Sequence, residues 1–304
     1  MPREVLQEPL KFIKISGNAA ETAGNHRQEC FIRMDARSIA VLMLHPGCNM
    51  WCSYCVTENS MSSMHYEQAL HVLEEAARRG IGNVVLGGGE PFTWGPGAMR
   101  LAREAKRRGF VVQIGTNGAA PPPGYECAEA VDRYVLPLDA ATAPAHDALR
   151  HYPGGHHRLI VERLARLREA GKSVTVSTVV TALNLGEMET LAHFLNAYVH
   201  EGGRLHAWHL YRFLPQGRGG ARNAPHLRVG GATYDATCAR AKAAARGYAV
   251  FKRKDMQHSR TVDFFWHEGE RLCIGSEYWG AASGADPSWI QRPETLALAS
   301  SSTS

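Results

Sequence analysis

The sequence predicts an α/β fold: a partial (βα)6 TIM-type barrel with a C-terminal helix and hairpin extension. Three observations carry that expectation. Short β-branched or apolar runs alternate with amphipathic helical segments six times. Several of those helical segments stop at a glycine. Residues able to carry chemistry cluster in the loops that directly follow the runs. Strands alternating with helices imply parallel pairing through crossover helices. With 304 residues, 44% of them hydrophobic, the chain can bury a full core, and a disordered chain is excluded.

The first strand is expected over 38–45, and the helix after it over 64–79. Tyr66, Leu70, Leu73 and Ala77 share one face of that helix, and Gly80 stops it. The second unit is a strand over 83–86 and a helix over 97–108, with Leu101, Ala102 and Ala105 inward and Gly109 as the stop. The third strand, 111–115, runs into a proline-rich loop over 119–124 and a weaker helix around Cys127. The fourth strand, 133–138, precedes a long loop and the helix 157–170, whose apolar face is Ile160, Leu164 and Leu167. The fifth strand spans 173–181, and its helix spans 187–199 with Met188, Leu191, Leu195 and Val199 inward. The sixth strand is 204–213. A Gly/Arg-rich loop over 214–231 then leads to a helix near 234–245 and a hairpin of 261–266 with 271–274. This divides the chain into an irregular N-terminal extension (1–35), the barrel (36–218), a capping region that shapes the substrate pocket (219–280) and a disordered Ala/Ser-rich tail (281–304).

Composition removes several function classes. The longest apolar runs, 39–44 and 174–180, are strand-sized and far short of the ~20 residues of a membrane span. The net charge of +5 is mild and spread along the chain, which gives no case for nucleic acid or a membrane surface. The start, Met1-Pro-Arg-Glu, lacks the apolar core of a secretory signal, so a cytoplasmic protein is expected. Seven cysteines, an odd number in such a chain, favour metal binding or catalysis over a disulfide framework.

Cys48, Cys52 and Cys55 crowd into the loop after the first strand in a C-x3-C-x2-C spacing. Two plain alternatives are a structural zinc site and buried thiols. Structural zinc takes four closed ligands, commonly as two pairs from separate segments, and no second pair exists here. A [4Fe–4S] cluster normally takes four thiolates. Three would leave one iron open, and an unfilled coordination position implies chemistry.

At these residues the sequence resembles the radical S-adenosylmethionine (radical SAM) superfamily, whose signature is this spacing after the first barrel strand, with an aromatic, here Tyr54, before the last cysteine. The resemblance implies a [4Fe–4S] cluster on Cys48, Cys52 and Cys55, with SAM chelating the open iron. Electron transfer from the reduced cluster would cleave SAM to a 5′-deoxyadenosyl radical that abstracts hydrogen from substrate. Gly87-Gly88-Gly89-Glu90-Pro91 looks like the family's GGEP segment, so Gly88, Gly89 and Glu90 would hold the methionine amine. Thr116, Asn117 and Gly118 are similar to the family's TNG, and Asp139 with His146, Asp147 and Arg150 to its SLD and HD…R stretch. Pro137 and Ala140 depart from that last pattern. Thr116, Asn117 and Asp139 would touch the adenosyl part, and Ser177 and Asn184 occupy places where polar SAM contacts often occur. Phe213–Gly220 is like the FLPxGRG loop of some members. The resemblance covers residues 38–218.

On the sixth strand His209, Tyr211 and Phe213 share one face, and His206, Trp208, Leu210 and Arg212 the other. Tyr211, Arg212 and His209 are candidates for contact with substrate or the SAM carboxylate, with a structural role as the rival. Arg218 is a candidate for an anionic substrate group, with a surface arginine as the rival. His151, His156 and His157 are expected in a solvated loop, and Cys238 and Cys273, far apart, are not expected to bind an auxiliary cluster. The resulting expectation is a radical SAM enzyme acting on a small polar metabolite, such as a nucleoside, sugar or cofactor precursor. One example is radical decarboxylation in nucleoside-antibiotic biosynthesis. Its partners would be that small-molecule substrate and an electron donor of flavodoxin or ferredoxin type. The alternatives are a peptide-modifying radical SAM enzyme and a non-enzymatic metal-binding or electron-transfer protein.

Overall fold

A computed structural model describes residues 38–58 and 61–280. The extension expected over 1–35, Cys30 within it, and the tail expected over 281–304 lie outside the described residues. In chain order the elements begin β1 (Ile39–Met43), β2 (Trp51–Cys52), α1 (Tyr66–Arg78), β3 (Asn83–Gly87), α2 (Ala98–Arg107), β4 (Val111–Gly115) and β5 (Arg133–Pro137). Next come α3 (Ala143–Asp147), β6 (Arg150–His151), α4 (His156–Glu169), β7 (Ser173–Val180), α5 (Met188–His200) and β8 (Leu205–Arg212). The last are α6 (Gly217–Leu227), α7 (Gly231–Ala244), β9 (Ala249–Arg253), β10 (Val262–Glu268), β11 (Arg271–Ile274) and α8 (Gly275–Gly280).

One nine-stranded sheet has the order β11-β10-β1-β3-β4-β5-β7-β8-β9. Every neighbouring pair is parallel except β10 with β11. The six expected strands therefore stand side by side in chain order, each parallel pair joined by a crossover. Arg253 of β9 and Phe264 of β10, from opposite ends of the strand order, line one cavity, so the sheet curls around it.

Alternation along each strand separates two faces. Ala40, Leu42, Val84, Leu86, Val112, Ile114, Trp208 and Leu210 are fully buried in the core on the helix side. Each large side chain there contributes roughly 1.5–3 kcal/mol by leaving water. Val41, Val85, Gln113, Val135, Thr175 and His209 take the other face and line the cavity. The helices supply the matching stripes: Leu101, Ala102 and Ala105 on α2, and Ile160, Leu164 and Leu167 on α4, as the periodicity predicts. On α1 the buried stripe is Ala69, Val72, Leu73 and Ala76, about a residue offset from expectation. Tyr66 and Leu70 pack at its margin.

The observed elements depart from the expected ones in three places. The segment around Cys127 is only a 3-10 turn, Tyr125–Cys127, because Gly124 enters it in the left-handed region (φ 73°) after three prolines. The Gly/Arg-rich stretch expected as a loop forms α6, whose glycines allow it to lie against other backbone. β9 is a strand that local pattern did not reveal. The C-terminal hairpin joins the sheet: β10 pairs in parallel with β1, Val41 opposite Phe264, and Phe264 lines the cavity. Trp266 and Phe265 are buried there, and Trp266 stacks on Trp279 of α8.

Because the Phe265 side chain on β10 is fully buried, Phe265→Ala should cost about 3–5 kcal/mol in denaturant unfolding. Leu183→Ala, on an exposed side chain, should cost less than about 0.5 kcal/mol.

Candidate active site

Parallel strands deliver the loops after their C-terminal ends to one edge of the sheet, and the three-cysteine loop follows β1 there. Two glycine segments grip that loop through backbone. From the β3 side, the Gly89 N–H donates to the His45 carbonyl (2.6 Å) and the Glu90 N–H to the Gly47 carbonyl (2.8 Å). The approach is so close that a Cβ on Gly89 would lie 1.8 Å from the Gly47 carbonyl oxygen. From the α6 side, the Gly219 and Gly220 N–H groups both donate to the Cys55 carbonyl (3.0 and 3.1 Å). A Cβ on Gly219 would meet the Cys52 carbonyl at 2.4 Å. Only glycine permits either contact. The Arg218 guanidinium donates to the Pro46 carbonyl (2.9 Å). The loop is further held by a two-stranded ladder of β2 with β6, which sets Cys52 opposite Arg150.

Charged side chains buried behind the loop set its position. The Glu90 carboxylate accepts from the Thr116 hydroxyl (2.7 Å), the Asn117 N–H (2.7 Å) and the Phe92 N–H (3.1 Å). Burial raises its pKa while these three donors oppose the rise. Asp139 is fully buried. It accepts from the Tyr54 hydroxyl, Arg150 Nε (2.6 Å) and the Val179 N–H (2.9 Å). Burial alone would raise the Asp139 pKa, but the Arg150 guanidinium beside it holds the carboxyl below its usual range. Burial raises the Tyr54 phenol well above its ordinary pKa.

The cysteine sulfurs meet donors from the same groups: Asn117 Nδ2 lies 3.4 Å from Cys48 Sγ, and Arg150 Nη1 lies 3.6 Å from Cys52 Sγ. Burial pushes the Cys52 thiol up to about 11, with Arg150 opposing and Cys55, Asp139 and Cys48 adding to the rise. Binding a metal there would release its proton.

A relay of two neutral histidines links these groups. The Asp139 N–H donates to His146 Nδ1 (3.0 Å), so His146 carries its proton on Nε2. That proton goes to His156 Nδ1 (2.8 Å), and His156 Nε2 then donates to the Asn117 carbonyl (2.7 Å). Burial pulls His146 to about 3 and His156 to about 4. Asp147 Oδ1 accepts from the first two backbone N–H groups of α4, at His156 and His157. The expectation of a solvated His156 is thus corrected: it is fully buried.

The loops and the inner face of the sheet enclose a cavity of about 450 Å³. Cys48, Cys52, Cys55, Tyr54, Gly88, Gly89, Thr116, Asn117 and Ser177 line it, as do Tyr211, Arg212 and Arg218. Glu90, Asp139 and Asn184 stand behind its wall, all three fully buried. Asn184 Nδ2 donates to the carbonyls of Asp139 (2.7 Å) and Val179 (3.0 Å). Each of the three is hydrogen-bonded to neighbouring segments, and none of them lines the cavity. Sequence reasoning missed Arg253, which shares the cavity face of β9. Its parallel register opposite Tyr211 follows only from tertiary pairing. Cys238 and Cys273 are buried in α7 and β11, and neither lines the cavity.

The donor set indicates what the loop could hold. Among the described residues, no group of three or more His, Cys, Asp or Glu side chains is disposed around a single metal ion. Three soft thiols from one loop, facing a cavity and flanked by N–H donors, suit an iron–sulfur cluster. The open volume beyond them leaves room for a nucleotide-sized ligand. These residues fit a [4Fe–4S] cluster with SAM beside it.

Comparison with known proteins agrees. The model of the radical SAM superfamily matches residues 42–195, about half of the chain, and the chain belongs to that superfamily of enzymes, whose members bind a [4Fe–4S] cluster and SAM. It is 31% identical over 186 residues to an AdoMet-dependent heme synthase of Methanosarcina barkeri, covering 58% of this chain and 50% of that one. It is 32% identical over 161 residues to a tungsten-containing aldehyde ferredoxin oxidoreductase cofactor-modifying protein of Pyrococcus furiosus, covering 49% of this chain and 45% of that one. The chain therefore spans about half the length of these relatives. Its fold is similar to that of SuiB from Streptococcus suis bound to SAM, with TM-score 0.59 and 12% identity over 78% of this chain and 59% of that one. Among the described residues no helix is long and apolar enough to cross a membrane.

Two expected outcomes follow from the site. Gly89→Ala has no space for its methyl and should abolish iron loading on anaerobic reconstitution, whereas Gly95→Ala, with nothing within 4 Å of the new atom, should load normally. The folded pKa values of His146 and His156 lie below the ~6.5 of an unfolded histidine, so the unfolded chain binds more protons in between. This contribution to stability is fully present above pH ~6.5 and is lost as pH falls toward 4. His209, drawn by burial to about 3, acts with the same sign. Proton uptake on unfolding at pH 5.5, measured calorimetrically in two buffers, should drop by about one proton in His156→Gln.

Proposed function

We propose that Cys48, Cys52 and Cys55 hold one [4Fe–4S] cluster with an open iron for SAM, and that the enzyme acts on a small polar metabolite. When bound, the cluster supplies the electron for reductive cleavage of SAM to the 5′-deoxyadenosyl radical that abstracts hydrogen from substrate. The observation that carries this reading is the double backbone grip on a three-thiol loop that lines the cavity.

The chain's own residues divide the work. Gly88 and Gly89 offer backbone carbonyls on the cavity wall for the ammonium of SAM, and Glu90 fixes their turn from behind. Thr116, Asn117, Tyr54 and Ser177 present polar atoms on the wall for the adenosyl and ribose part. Asp139, through Tyr54 and Arg150, and Asn184, through the Asp139 carbonyl, keep that wall in register. Tyr211 and Arg212 stand at the end of β8, on the substrate side of the cavity. Arg218 ties the cysteine loop down through the Pro46 carbonyl and still lines the cavity. The remaining apolar lining, such as Val41, Val85 and Val135, keeps water away from a reactive carbon radical. An electron donor of flavodoxin or ferredoxin type completes the cycle.

Anaerobic reconstitution tests the assignment. The protein should take up about four irons and four sulfides per chain and form 5′-deoxyadenosine from SAM and reductant. Cys48→Ala, Cys52→Ala and Cys55→Ala should each abolish that activity, while the double variant Cys238→Ala with Cys273→Ala should keep full iron content. A single zinc per chain, or a cluster that leaves SAM intact under reductant, would overturn it. Deuterium passing from a labelled metabolite into 5′-deoxyadenosine would identify the substrate.

A further inference from the structure

The charge on the cavity wall is one-sided. Among the described residues its lining holds five cationic side chains, Arg150, Arg212, Arg218, Arg253 and Lys254, and neither Asp nor Glu. Three of the five are engaged. Arg150 is paired with Asp139, Lys254 with Asp235 (2.7 Å), and Arg218 donates to the Pro46 carbonyl. Arg212 and Arg253 have no ion pair among the described residues.

Arg253 is the more telling of the two. It is half-buried, and its Nε is shut off from solvent with no hydrogen-bond partner among the described residues. Its guanidinium lies over the Phe251 ring, 5.0 Å from the centroid. Across the β8–β9 ladder it sits opposite Tyr211, as Phe251 sits opposite His209. Tyr211 Oη and His209 Nδ1 are 3.2 Å apart. A guanidinium that lines the cavity without an ion pair keeps its planar fork open to a ligand, and that fork matches carboxylate and phosphate oxygens. Arg253 also lies outside residues 42–195, the part of the chain shared with the superfamily model.

We infer that Arg253, on the wall formed by Tyr211 and Phe251, is an oxyanion subsite, and that the substrate carries a carboxylate or phosphate seated there. This rests on the proposed small-metabolite reading and narrows it to anionic substrates. SAM also carries a carboxylate, so the test must separate the two sources.

The test titrates reconstituted, SAM-loaded protein with inorganic phosphate and, separately, with glutarate, by isothermal calorimetry. At least one anion should bind the wild-type protein. Arg253→Gln should weaken it by about tenfold or more, and Arg253→Lys by less, because lysine keeps the charge and loses the fork. The Kd for SAM should stay within about twofold in both variants. In the wild-type protein the same anion should slow phenylglyoxal modification of the peptide bearing Arg253, a readout that does not depend on the variants folding. The inference is overturned if neither anion binds, or if Arg253→Gln binds them equally. It is also overturned if the anions bind only without SAM while Arg253→Gln weakens SAM itself, since the subsite would then hold SAM's carboxylate. Normal 5′-deoxyadenosine formation alongside any of these failures would remove the subsite and leave the proposed chemistry standing.

Discussion

Backbone contact between three loops is the constraint on which the rest of this structure depends. A loop that presents three thiols and keeps one coordination position free for a ligand cannot be braced by a fourth side chain at the same centre. It must be held from outside. Here the Gly88–Gly89–Glu90 turn and the first turn of α6 meet the cysteine loop at distances no side chain allows, and their N–H groups satisfy its carbonyls. Both segments reach it only because β1 and β3 are adjacent parallel strands and the chain after β8 returns across the same edge.

A second layer converts those contacts into a rigid frame. Two buried carboxylates, Glu90 and Asp139, each collect three donors, Glu90 from its own turn and the loop after β4, and Asp139 from the cysteine loop, β6 and β7, so neither is left without partners. Asn117 is the shared node. Its N–H goes to Glu90, its side-chain amide to Asn49 and Cys48, and its carbonyl to the histidine relay from Asp139. The second sequence element noted as HD is explained in the same terms, since His146 is a relay member and Asp147 holds the start of α4. Glu90, Asp139, His146 and His156 support the site from behind the wall, while the wall itself presents thiols, backbone, hydroxyl, amide and guanidinium groups among apolar side chains such as Val41, Val85 and Val135.

Local pattern in the sequence carried the six strands, most of the helices, and the cysteine, glycine and TNG segments, because periodicity and residue chemistry are local. What it could not carry was pairing at long range. Residues 261–274 read correctly as a hairpin, but nothing near them shows that β10 lies along β1. The glycines after Phe213 suggest a loop by propensity, and tertiary contact with the cysteine loop makes them the start of a helix. Glu90, Asp139 and Asn184 were legible as polar residues at strand ends. Whether a carboxylate faces a ligand or a neighbouring loop depends on a side-chain direction that composition does not encode. Arg253 shows the same limit, since it gains meaning only from standing opposite Tyr211.

On the proposed reading, SAM binds an iron to which this chain supplies no ligand. Electron–nuclear double resonance on the reduced, reconstituted protein with SAM labelled with 15N at the amine and 17O at the carboxylate tests it most directly. Hyperfine coupling of both labels to the cluster is expected. A fully ligated cluster that shows neither coupling, with SAM demonstrably bound, would contradict the account.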